Sequence, residues 1–160
     1  MESPTEIPHV PMQVISGCLV ASIQLDLTTE ILQHFQQDLL QRIQTSGVSA
    51  VVLDVSGVEI MDLEDFELLR RSMAMASIMG ARPILVGLRA GIVASLIALD
   101  ANVERIEAAA DVDDALQRLQ SVARESAAAG DDAVDSLDTD APGNGTANEA
   151  GTEGSRSDRY

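Results

Sequence analysis

The sequence has no lysine and no tryptophan, one tyrosine, two phenylalanines and a single cysteine among 160 residues. Ten arginines face 26 acidic side chains, for a formal charge of −16. Nucleic-acid binding needs a cationic surface that displaces counterions, so this charge argues against it. Docking on anionic lipid is disfavoured for the same reason. One cysteine, Cys18, excludes an internal disulfide and any multi-cysteine metal site. With 2% aromatic residues, the core must be built from Leu, Ile, Val, Ala and Met. No apolar run approaches the roughly 18 residues of a membrane span. The start, MESPTEIPHV, lacks the basic-then-apolar pattern of a secretory signal. A cytoplasmic protein is expected.

What is present suits one domain with a tail. Pro4, Pro8 and Pro11 mark an extended lead-in over residues 1–10, and the domain is expected over 11–126. From Gly130 to Tyr160 eight acids stand against Arg156 and Arg159, amid Gly, Ala, Ser, Thr and Asn. Such a composition cannot bury enough apolar surface to offset its ordering entropy, so residues 127–160 are expected to form a disordered acidic tail. The acidity suits a chain hydrated in high salt and equally an ordinary acidic protein, and both readings stay open.

Met12–Ile15 and Cys18–Leu25 flank Ser16-Gly17 and read as a β-hairpin. Leu32, Phe35, Leu39, Leu40 and Ile43 give helical spacing over Thr29–Gln44, with Asp26 or Thr28 as cap. Ala50–Leu53 is wholly apolar, as in a strand buried on both faces. Asp54–Asp62 reads as a loop, and a helix follows to about Met79, stopped by Gly80. Arg82–Val86 is the next strand, Ile92–Leu99 a short helix and Val103–Glu107 a last edge strand. Asp111 caps a final helix with Val112, Ala115, Leu116, Leu119 and Val122 on one face. The order predicts an α/β fold: a mixed sheet of four or five strands with about four helices packed on it.

No catalytic set emerges. His9 and His34 cannot be paired with a nucleophile, and no HxH or HExxH pattern offers metal ligands. Asp54–Gly57 has one glycine and no phosphate-cradling pattern, and Glu64, Asp65 and Glu67 would repel an anionic ligand from the helix start they favour. The acids Glu59, Asp62, Glu64, Asp65 and Glu67 read as a hydrated patch. The carboxyl ends of the central strands remain the functional edge of an open α/β sheet. Here they are the Asp54–Phe66 and Gly87–Ser95 segments.

The run Val51-Val52-Leu53-Asp54-Val55-Ser56-Gly57-Val58-Glu59-Ile60-Met61-Asp62 resembles the hallmark of STAS domains, the anti-sigma factor antagonists and their relatives. Cys18–Gln24, Phe35–Leu40, Met79–Arg82 and Val86–Arg89 match in order, and the resemblance spans about residues 8–120. It extends to stressosome scaffold proteins of RsbS type. It implies a STAS fold and no catalysis. Its implied partners are a serine/threonine kinase of anti-sigma type and related STAS proteins in a large assembly. Contacts are expected at Asp62, Leu63, Glu64, Phe66, Arg89 and Ser95. The family's phosphorylated serine falls on Leu63, which has no hydroxyl, so that switch is expected to be lost. A second modified threonine of some stressosome subunits falls on Ser95. STAS folds also serve as ligand-sensing and transporter-associated modules, which is the alternative.

Overall fold

The computed structural model describes residues 8–24 and 26–131. Five strands and four helices alternate along them: β1 (Met12–Ile15), β2 (Cys18–Ser22), α1 (Thr29–Ser46), β3 (Ala50–Asp54), α2 (Leu63–Ile78), β4 (Arg82–Val86), α3 (Ala90–Ala98), β5 (Ala108–Ala109) and α4 (Val112–Asp131). The sheet order is β1-β2-β3-β4-β5; the first pair is antiparallel and the others parallel. Right-handed crossovers that always step the same way along a sheet leave their helices on one face. Accordingly α1, α2 and α3 bury Leu32, Phe35, Leu39, Phe66, Leu69, Ile92 and Leu96 in one core with Leu19, Val51, Leu53 and Leu85. The alternate strand residues Val20, Val52, Ile84 and Val86 point the other way, under α4.

Local chemistry fixes the helix ends. Thr28, not Asp26, caps α1: its Oγ1 accepts from the Ile31 N–H at 3.2 Å. Gly47, left-handed at φ 61°, closes α1 by donating to the Ile43 carbonyl at 3.1 Å. Helix α1 runs to Ser46 and α3 begins at Ala90, each two residues beyond the expected end.

Two strands differ from expectation. Strand β2 ends at Ser22 rather than Leu25, because the chain bends where Gln24 packs against Gly57; a Cβ there would meet the Gln24 Cα at 2.9 Å. The last strand is Ala108–Ala109, not Val103–Glu107. The β-branched Val103 and Ile106 mimic a strand, but the Asn102 side chain accepts from the Glu104 N–H at 3.0 Å and turns the chain. Arg105 then takes φ 62°. Glu107 is held by a bidentate pair with Arg82 at 2.7 Å.

The expected boundary after residue 126 falls inside α4, which continues to Asp131; the expectation for 132–160 lies outside the described residues. Val10, assigned to the lead-in, is buried in the main core.

Candidate functional site

The carboxyl ends of β3 and β4 carry two loops that are tied together. The Asp54 carboxylate accepts from the Ser56 N–H at 2.9 Å, and Val55 donates to the Val86 carbonyl at 3.0 Å. Gly87, at φ 78°, lies so close to Ser56 that a Cβ would meet its backbone nitrogen at 2.8 Å. The Arg89 Nη2 donates to the Ser56 carbonyl at 3.2 Å. Beside this junction is a shallow depression of 310 Å³, where Glu59, Ile60 and Met61 meet Arg89, Gly91, Ile92 and Ser95.

Helix α2 starts at the rim. Asp62 is its N-cap, accepting from the Asp65 N–H at 2.8 Å, while the Asp65 carboxylate accepts from the Asp62 N–H at 3.2 Å. This box is made of two acids. Burial, and then the nearby Asp62 charge, push the Asp65 carboxyl above its ordinary range and outweigh the Asp62 N–H bond that opposes them. A carboxyl raised in the folded state stabilises the fold when protonated, and that contribution is lost as pH rises through its folded value. Asp65→Asn keeps an acceptor oxygen and removes the charge. Its stability advantage over the native chain is therefore expected to grow from pH 3 to pH 7 in urea titrations; a constant difference would refute the assignment.

The expected contact residues separate into two groups. Asp62, Leu63 and Glu64 are exposed on the first turn of α2, with Leu63 38% exposed. Arg89 and Ser95 are exposed and line the depression. The Ser95 hydroxyl donates to the Gly91 carbonyl at 2.9 Å, the usual back-bond of a helical serine. Phe66 is a correction: it is 1% exposed and lies in the core, so its side chain cannot touch a partner. It begins the inward stripe continued by Leu69 and Met73.

Nothing in the sequence marks Ile60 as a surface residue. It is 83% exposed between buried Val58 and Met61, in a loop with no period to reveal it. Val93 and Ile97 are also exposed, but helical spacing puts them on the flank of α3 away from Gly91 and Ser95. The two segments thus expose two apolar side chains, Ile60 at the depression and Leu63 on the first turn of α2, together with the acids Glu59, Asp62 and Glu64 and the cation Arg89. Among the described residues no cluster of His, Cys, Asp and Glu could hold a metal ion.

The STAS domain model matches residues 9–115. Solved structures share the fold. RsbS from Moorella thermoacetica, as a variant, is 20% identical over 73% of this chain and 99% of its own, with a TM-score of 0.64. The anti-sigma factor antagonist SpoIIAA in its unphosphorylated form is 12% identical over 69% and 97%, with a TM-score of 0.55. The murine anion transporter Slc26a9 is 21% identical over 68% of this chain but only 18% of its own, with a TM-score of 0.54. Among curated proteins none matches the chain. A family model spanning two thirds of the sequence, from β1 to the first residues of α4, places this chain in the STAS domain family.

Proposed function

We propose that the chain is a non-catalytic cytoplasmic partner in a partner-switching stress pathway, a scaffold or anti-sigma factor antagonist. It binds a serine/threonine kinase of anti-sigma type and assembles with related STAS proteins. One observation carries this reading: on a STAS fold, the start of α2 exposes Leu63 and the loop before it exposes Ile60. The fold shared with RsbS and with the anti-sigma factor antagonist SpoIIAA supports it. An apolar centre with an acidic rim fits a partner surface of opposite charge.

Leu63 has no hydroxyl to accept a phosphoryl group, so kinase contact here is constitutive. Glu64 adds one fixed negative charge, less than a phosphate carries. Ser95 is the hydroxyl that remains among the contact residues. Leu63→Ser is expected to take up phosphate from the cognate kinase and ATP. If a kinase that binds this variant leaves it unlabelled, position 63 is not the switch position. Any label on the native chain is expected to vanish in Ser95→Ala.

The match to the transporter favours a second reading, a ligand-sensing or transporter-associated module. Among the described residues no helix is long and apolar enough to cross a membrane. Thermal shifts with nucleotides and small anions separate the two, and the partner-switching reading predicts none.

A further inference from the structure

Helix α2 is the middle helix of its layer: α1 connects β2 to β3, α2 connects β3 to β4, and α3 connects β4 to β5. Its inward stripe is Phe66, Leu69, Met73 and Ala76. By helical spacing the opposite stripe is Glu64, Arg71, Met75 and Ile78, and all four are exposed. A helix over a core ordinarily turns polar residues outward. The second half of α2 instead turns out Met75, 39% exposed, and Ile78, 85% exposed, beside exposed Ala74. Helix α3 goes further. Ala90–Ala98 contains no charged residue, and Ala94, Ile97 and Ala98 are exposed while Ile92 and Leu96 are buried. A helix apolar all round belongs under a cover. Together the two helices set Glu64, Asp65 and Glu67 against Arg70 and Arg71, close to balance in a chain of formal charge −16. A second copy can therefore approach this face with little repulsion.

Charge also changes sign along α2. Glu64 lies near its start, with Glu59 and Asp62 in the loop before it. Arg71 lies in its second half, and farther on Arg70, Ile78 and Arg105 line one groove of 340 Å³. Arg70 is paired with Glu67 at 2.7 Å, whereas among the described residues no ion pair holds Glu64, Arg71 or Arg105. Such a helix is complementary to itself turned end for end.

We propose that α2 packs antiparallel against α2 of a second copy of this chain, about a two-fold axis. Glu64 of each copy meets Arg71 of the other, which centres the crossing between Glu67 and Leu68. In that register Met75 stands opposite Ile60, and Ile78 lies about one turn farther, over the loop that carries Glu59. Glu67, nearest the axis, is already neutralised by Arg70. The same axis lays α3 along its counterpart, where the small Ala94 and Ala98 admit close approach. A two-fold contact makes every pair twice. The inference goes beyond the kinase reading and does not rest on it, because the partner is this chain itself. Both contacts use Glu64, so the kinase and the second copy compete.

Light scattering on the full chain tests it, at about 0.15 M salt, where exposed charges still act over about 8 Å. The native chain is expected to have the mass of two chains. Arg71→Glu alone, and Glu64→Arg alone, each turn two opposite-charge pairs into two like-charge pairs. Each is expected to weaken dimerisation at least about 100-fold. Mixed in equal amounts, the two variants are expected to regain the two-chain mass, because both pairs across the axis are again opposite in charge. The double variant Glu64→Arg, Arg71→Glu is expected to dimerise like the native chain. Both positions are exposed, and recovery in the mixture shows that neither variant has unfolded. A native monomer overturns the proposal, as does a particle larger than two chains. Single variants that stay dimeric overturn it too, since the contact then lies elsewhere. Single variants that dissociate and do not recover on mixing overturn the antiparallel register. No kinase is present, so none of these failures touches the kinase reading.

Discussion

Gly87→Ala is expected to be the most damaging single-methyl change in this domain. At φ 78° an L side chain costs about 1–2 kcal/mol on its own account. The added Cβ would also meet Ser56 at 2.7 Å on its Cβ and 2.9 Å on its Cα. The Ser56 backbone nitrogen and Cα among these contacts are held by the Asp54 carboxylate and by Arg89, so they cannot yield without moving the β3–α2 loop. The sum is on the order of 3 kcal/mol, or a fall of about 10 °C in Tm. Gly80→Ala is the control. Its φ is 87°, but nothing lies within 4 Å of the added carbon, so only the backbone cost of about 1 kcal/mol remains. Equal losses in the two variants, measured by thermal and urea unfolding, would mean that the two loops are not locked at Gly87.

The second large effect is on binding. Ile60→Asp with Leu63→Asp is expected to weaken kinase binding at least about 100-fold, since apolar anchors at the centre of an interface carry about 2 kcal/mol or more. The fold should not suffer. Ile60 is 83% exposed, and an acid at the first position of α2 favours the helix dipole. Phe66→Ala serves as the contrast. Emptying a core phenylalanine costs about 3–5 kcal/mol of stability. Loss of binding in that variant would follow loss of fold. Unchanged affinity in a folded Ile60→Asp, Leu63→Asp protein would remove this surface from the account.

Much of this architecture is legible in the residues. Ala50–Leu53 could only be a strand covered on both faces, and Asp62 before a helical stripe marks the start of α2. The loops that meet at the carboxyl edge follow from the βα order alone. Phase near the start of α2 was harder to read. Leu63 and Phe66 are three residues apart and adjacent on the helix, yet one is half out and the other fully in. Only packing against α1 and the sheet decides between them. The β-branched Val103 and Ile106 suggest a strand there, but the Asn102 side chain bends the chain at Glu104 and β5 forms later, at Ala108–Ala109. Ile60 sits in a loop, where neither a period of 2 nor of 3.6 applies, so its exposure is set by tertiary contacts of Val58 and Met61.

On the proposed function, this STAS chain would hold an anti-sigma-type kinase through the α2 start without being switched at position 63. The most direct measurement is the affinity of the full chain for such a kinase from its own source organism, by calorimetry, before and after incubation with ATP and Mg²⁺. The account predicts binding in both conditions with the same Kd. Release on ATP treatment, or no binding in either condition, would contradict it.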